Sequence, residues 1–101
     1  MNIPFDKLDK AFENRLRLQI MSVLVANERY DFNSLKDLLD VTDGNLASHL
    51  KGLEKEEYIC VHKSFLGRKP NTNYEATEKG KTAFRDHLDA LEKLIKQQKM
   101  S

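Results

Sequence analysis

Leu46, Leu50 and Leu53 fall on one side of a helix-length segment that begins at Thr42, and this segment runs straight into a strand, a glycine turn and a second strand. Few folds accommodate that order. At about 100° per residue the three leucines lie within about 60° of one another and form a buried stripe. Gly44, Asn45, Ser48, Gly52 and Lys55 fall on the opposite side, with His49 at its edge. That side is small and polar, which suits close approach to base edges. Beyond it, Tyr58 to Leu66 is rich in aromatic and β-branched residues, Gly67-Arg68-Lys69-Pro70 is a turn, and Thr72 to Thr77 returns as a strand. From Tyr58 to Pro70 the charged residues are Lys63, Arg68 and Lys69, with no acid among them. A helix with a small polar face beside a cationic ribbon is a surface fitted to nucleic acid.

The rest of the chain is helical. Pro4 to Phe12 reads as a short helix, with Phe5, Leu8 and Phe12 at spacings of three and four. Glu13 to Ala26 reads as a longer one, with Leu16, Ile20, Met21, Val23 and Leu24 on one face. Whether residues 4–26 form one bent helix or two stays open. Tyr30-Asp31-Phe32 is at most a strand stub. Asn33 or Ser34 then caps a short helix to Leu39 or Asp40, with Leu35, Leu38 and Leu39 facing inward. Thr42 or Asp43 caps the next, which runs to about Glu56. Thr77 caps the last helix, about Glu78 to Gln98, where Phe84, Leu88, Leu91 and Ile95 make a heptad-like seam. The expected fold is mainly α with a small β-hairpin: a three-helix core, a two-stranded wing and a long C-terminal helix.

Composition sets the outer limits. A chain of 101 residues makes one domain with a modest core. Charged residues are 33% of it and the net charge is +1, so any cationic surface must be local; Glu54, Glu56, Glu57 and Glu78 flank the hairpin and mask it in the total. No apolar run approaches the ~20 residues of a membrane span. MNIPFDKLDK lacks the pattern of an export signal, which points to the cytoplasm. Cys60 is the sole cysteine, has no partner at zinc-motif spacing, and reads as a buried strand thiol. His62 and His87 stand apart and take no metal role in this reading. No nucleophile–base pair, paired-carboxylate constellation or phosphate-cradling loop is visible, so neither an enzyme nor a cofactor is expected.

The order of elements resembles the winged helix-turn-helix transcriptional regulators, in the compact single-domain group near the MarR and ArsR families of bacteria and archaea. The resemblance covers roughly Phe12 to Ile95. It is carried by Arg15-Leu16-Arg17-Leu18-Gln19-Ile20-Met21, by Thr42 to Leu50, by Leu53-Glu54 with Tyr58-Ile59, and by Phe65 to Tyr74 with Thr77 and Gly80. It implies a homodimer on double-stranded DNA with a pseudo-palindromic operator, the second helix of the pair in the major groove and the wing on the backbone or in the minor groove. Residues 1–101 would then be one DNA-binding domain, with a core at about 13–77 and dimerisation helices at about 5–12 and 78–98. Such proteins usually place Gly between the recognition helix and the Tyr-Ile strand start, where this chain has Glu57. A left-handed turn there would cost a non-glycine residue ~1 kcal/mol, so the helix is expected to end differently. The helices of a MarR ligand pocket and the metal clusters of ArsR sensors are missing, which leaves a small-molecule effector unsupported.

Ser34, Thr42, Gly44, Asn45, Ser48, His49, Lys63, Arg68 and Lys69 are the candidate DNA contacts. Several have a plainer alternative. His49 could be a solvated helix residue, Asn45 and Ser34 could serve only as caps, and Lys63 could be a solvated strand residue. The seam Phe84, Leu88, Leu91, Ile95 could pack on its own domain, or pair with its symmetry mate together with Phe5, Leu8 and Phe12. A small core cannot cover so long an apolar edge, which favours pairing. A winged helix used for protein contact without DNA binding is the competing function.

Overall fold

The computed structural model describes residues 5–99, with side chains over 6–96. The helices and strands are α1 (Arg15–Ala26), β1 (Tyr30–Asp31), α2 (Phe32–Leu39), α3 (Asp43–Lys55), β2 (Ile59–Leu66), β3 (Lys69–Ala76) and α4 (Glu78–Lys99). No described helix is long and apolar enough to cross a membrane.

The stretch expected to be helical up to Phe12 consists instead of two 3-10 turns, Phe5–Lys7 and Lys10–Phe12; Pro4 lies outside the described residues. Asp9 separates the turns. Its backbone is extended, and its Oδ1 accepts the Ala11 N–H at 2.9 Å. Asn14 then starts α1 afresh, accepting the Arg17 N–H at 3.0 Å. Each of these caps satisfies an amide that has no partner inside its own helix.

α2 begins earlier than the sequence suggests. Its cap is Asp31, not Asn33 or Ser34: Oδ2 accepts the Ser34 N–H at 3.2 Å, and the Ser34 hydroxyl donates to the same carboxylate. That hydroxyl is the main reason the Asp31 carboxyl titrates below its ordinary range. Leu35 is fully buried and Leu39 partly so, but Leu38 is 56% exposed. On so short a helix only the edge shared by Leu35 and Leu39, four residues apart, reaches the core.

The sheet has three antiparallel strands in the order β1-β3-β2. The stub at Tyr30 thus joins the wing, with Tyr30 opposite Tyr74 and Asp31 opposite Asn73. β2 and β3 pair without a break from Ile59↔Ala76 to Leu66↔Lys69, so the turn is only Gly67-Arg68. Gly67 has φ +66° and Arg68 is not among the positive-φ residues, the pattern of a type II′ hairpin. Pro70 lies within β3 opposite Phe65. β1 does not extend that far, so no ladder bond is lost to its missing N–H.

One core joins these elements. Ile20, Met21 and Leu24 of α1, Leu35 of α2, and Leu46, Leu50 and Leu53 of α3 meet Ile59, Tyr74, Ala76 and Phe84. Phe12 completes it, stacked on Tyr58 at 5.5 Å and edge-on to Phe84 at 5.6 Å and His87 at 5.4 Å. His87 is buried, and its Nδ1 accepts the Asp9 N–H at 3.0 Å. Phe12 and Phe84, assigned by spacing to a seam between subunits, are therefore enclosed in the subunit's own core. Leu88, Leu91 and Ile95 remain 43%, 37% and 60% exposed. Leu8 is half-buried, and the Phe5 side chain lies outside the described residues.

α3 does end through a left-handed residue, contrary to expectation. Glu57 has φ +63°. Its N–H donates to Glu54 O at 2.9 Å and the Tyr58 N–H donates to Leu53 O at 3.0 Å, the paired bonds of a Schellman motif. The Glu57 carbonyl in turn accepts the Thr77 hydroxyl at 2.7 Å. The usual geometry is kept with the unusual residue, held by bonds from both sides. Glu57→Gly is therefore expected to stabilise the fold by about 1 kcal/mol, seen as a rise of roughly 4–8 °C in thermal midpoint. An unchanged midpoint would mean the strain is already relieved.

Candidate nucleic-acid interface

The helix pair is set by its linker. α2 ends at Asp40, itself left-handed at φ 51°, whose N–H closes on Lys36 O. Thr42 then caps α3: its Oγ1 accepts the Asn45 N–H at 3.2 Å. Lys36 Nζ reaches Asp43 Oδ1 at 2.8 Å across the turn, and this contact raises the Lys36 pKa. The pair offsets the one acid in the first turn of α3, whose charge would otherwise oppose the attraction of that helix end for anions.

With α3 anchored by its leucines, Gly44, Asn45 and Ser48 are exposed on its outer face. Nothing lies within 4 Å of the position a Cβ would take at Gly44, so another surface can approach the backbone closely. Strand alternation sends Ile59, Val61, Lys63 and Phe65 to the side of the sheet that faces the core and α3. A groove between α3 and the wing is lined by Ala47, Ser48, Lys51, Glu54, Val61 and Lys63. The structure thus brings Ser48 and Lys63, which lie 15 positions apart, to one concave surface. Arg68 and Lys69 project from the far end of the hairpin, exposed, and neither takes part in an ion pair among the described residues.

Two sites behave differently from what the sequence suggests. Ser34 is exposed, but its hydroxyl is engaged by Asp31. His49 is half-buried and accepts from Arg17 Nε at its Nδ1, 3.1 Å away. With Nδ1 accepting, the ring carries its proton on Nε2, which makes that edge the available donor. The Arg17 guanidinium also covers Gly52, where a Cβ would sit 2.3 Å from Nη2. Gly52 is therefore not an open position on the outer face; it is the floor under an arginine from α1.

Sequence reasoning misses Arg17 as a site residue. Periodicity places it on the polar face of α1 but does not say which neighbour that face meets. The one signal is Gly52, a residue of α3 small enough to let a guanidinium lie against the helix. Phe65 and Leu66, 72% and 68% exposed beside Arg68, read in the sequence only as strand residues. They give the wing tip an apolar as well as a cationic character.

Residues 16–95 match the winged helix DNA-binding domain family. The chain belongs to that family. Among solved structures, this winged-helix protein resembles a transcriptional regulator homologue from Pyrococcus horikoshii OT3, at 29% identity and a TM-score of 0.85, covering 95% of this chain and 96% of the other. It shares its fold, at 16% identity and a TM-score of 0.74, with Staphylococcus aureus MepR, solved as a DNA complex, over 95% of this chain and 82% of that one. A Methanocaldococcus jannaschii protein of uncharacterised role is 36% identical over 87 residues, 86% of this chain and 95% of its own length. The expected winged-helix DNA-binding fold is the one found, with the hairpin extended to a three-stranded sheet.

Proposed function

We propose that this winged-helix protein is a homodimeric, sequence-specific regulator that binds double-stranded DNA in the cytoplasm and represses by occupying a promoter. The observation that carries the reading is the continuity of α3 with the wing. A small, polar helix face opens into a groove shared with Lys63 and leads to two cations at the hairpin tip that have no acidic partner among the described residues. The outer face of α3 is narrow enough to enter a major groove. Asn45, Ser48 and the Nε2 edge of His49 supply donors and acceptors for base edges. Arg68 and Lys69 supply phosphate contacts, which fix register. Thr42 and Ser34 act here mainly as parts of the helix starts.

The dimer rests on α4. Its 22 residues reach about 33 Å, and beyond Ala90 none of its described side chains is buried. An apolar groove between α1 and α4, lined by Leu18, Val25, Ala26, Phe84 and Leu88, continues into the exposed Leu91 and Ile95. Pairing two such faces about a twofold axis would present two α3 helices to half-sites about 34 Å apart. Sedimentation at micromolar concentration should give twice the chain mass of 11.7 kDa. Selection of duplexes from a random pool should then return a motif with twofold symmetry. A monomer that enriches no sequence, and shows no salt-sensitive binding to random duplex at low ionic strength, would overturn the reading and leave α3 as a protein-contact helix.

A further inference from the structure

Cys60 is half-buried, not enclosed, and it is not alone. It lies on the face of β2 opposite to Ile59 and Val61, the face it shares with His62 two residues on. Strand pairing sets Glu75 of β3 directly across from it. The result is one convergent point: Sγ of Cys60, Nε2 of His62 and Oε1 of Glu75 all lie within 4.8 Å of one another. The individual separations are 3.5 Å for sulfur to nitrogen, 3.8 Å for sulfur to oxygen and 2.8 Å for nitrogen to oxygen.

We propose that Cys60, His62 and Glu75 form a zinc site at the root of the wing, with a fourth position open to water. A tetrahedral ion with ordinary zinc bond lengths needs sulfur–nitrogen and sulfur–oxygen edges of about 3.5 Å and a nitrogen–oxygen edge of about 3.3 Å. The three side chains already stand within about 0.5 Å of those edges, so small rotations suffice. One thiolate, one imidazole and one carboxylate also make a donor set that suits zinc and disfavours magnesium or calcium. With two anionic ligands the occupied site is neutral.

Without metal the same atoms hold one another. His62 is bonded to Glu75, which is the chief reason the Glu75 carboxyl titrates low, and Arg29 Nε stands 3.8 Å from the same oxygen. Partial burial, then the Glu75 carboxylate, keep the Cys60 thiol protonated above its ordinary range. On binding, the thiol releases its proton to solvent, His62 moves its ring proton to Nδ1, and the exposed Arg29 guanidinium swings aside. Spacing along the chain shows no zinc motif because Glu75 comes from the next strand; only the register supplies it. The ligands face away from Lys63 and the α3 groove, so the ion would tie β2 to β3 without occupying the DNA-facing surface.

The test uses the reduced full-length chain and cobalt(II) as a spectroscopic stand-in for zinc. One equivalent should bind, with tetrahedral ligand-field bands and a thiolate-to-cobalt charge-transfer band, both bleached by one equivalent of zinc. Cys60→Ser should abolish the charge-transfer band. His62→Gln and Glu75→Gln should each weaken binding by at least about tenfold. Circular dichroism of the metal-free variants establishes that they are folded. Absence of the charge-transfer band in the parent protein would overturn the proposal. So would a band that persists with unchanged affinity in both folded variants, since the thiolate would then be using other partners. Neither readout depends on DNA.

Discussion

Gly80→Ala is expected to destabilise this protein by about 3 kcal/mol or more, although the change replaces a poor helix former with the best one. Gly80 lies in the first turn of α4 and donates its N–H to Thr77 Oγ1 at 2.9 Å. A Cβ there would stand 2.1 Å from the carbonyl oxygen of Tyr58, 2.9 Å from its carbonyl carbon and 3.0 Å from its Cα. These are backbone atoms and cannot rotate out of the way. Tyr58 itself is held by its N–H bond to Leu53, by a Thr77 N–H on its carbonyl at 3.0 Å, by its ring on Phe12, and by its hydroxyl on Asp9. Burial and then the Asp9 contact raise the pKa of that hydroxyl well above the ordinary tyrosine range, so it stays a donor throughout the useful pH range. The added methyl must therefore separate the start of α4 from the end of α3. Against a total stability of roughly 5–15 kcal/mol that is a large share, and the thermal midpoint should fall by more than about 10 °C. Gly44→Ala is the matched control. With nothing near the new methyl, helix propensity alone acts and should raise stability by up to about 1 kcal/mol. Equal effects from the two variants would mean that the close approach at Tyr58 is readily relaxed.

What can be read from the chain divides along the same line. Helix faces are legible, because Leu46, Leu50 and Leu53 carry a period that only a helix satisfies, and all three are buried. So is the hairpin, whose glycine and strand composition act locally. Boundaries set by one side-chain bond are not. Asp31 outcompetes Asn33 and Ser34 because it precedes the first turn with a carboxylate in reach, a geometry that propensity does not resolve. Relations between elements are the least legible. Arg17 over Gly52 links positions 35 apart, and Glu75 meets Cys60 through strand register. The seam on α4 is legible only as a spacing: which of its rungs the subunit's own core takes depends on where Phe12 packs. Glu57 shows the reverse failure. The local rule against a left-handed glutamate is sound as an energy, and the bonds from Tyr58, Glu54 and Thr77 outweigh it.

Arg68→Ala combined with Lys69→Ala is expected to weaken binding to every duplex, specific or random, by roughly 10- to 100-fold near 0.1 M salt. The magnitude follows from counterions. Each phosphate neutralised contributes about 0.9 to the slope of log affinity against log salt, so removing both cations flattens the slope by about 1.8. Fold stability should not change, because both side chains are exposed and neither is ion-paired among the described residues. Asn45→Ala with Ser48→Ala should behave in the opposite way. Binding to random duplex and its salt slope should stay near those of the parent, while preference for the selected motif drops by about 1–3 kcal/mol for each base that is no longer read. The two double variants therefore separate positioning from reading. Arg17→Lys adds a third arm. A lysine keeps the charge but loses the Nε donor that holds His49 and the planar group that covers Gly52, so it should resemble the Asn45/Ser48 pair if His49 reads a base. A salt slope unchanged by loss of Arg68 and Lys69 would remove the wing tip from the interface. The cationic end of the hairpin would then have to serve some contact other than phosphate.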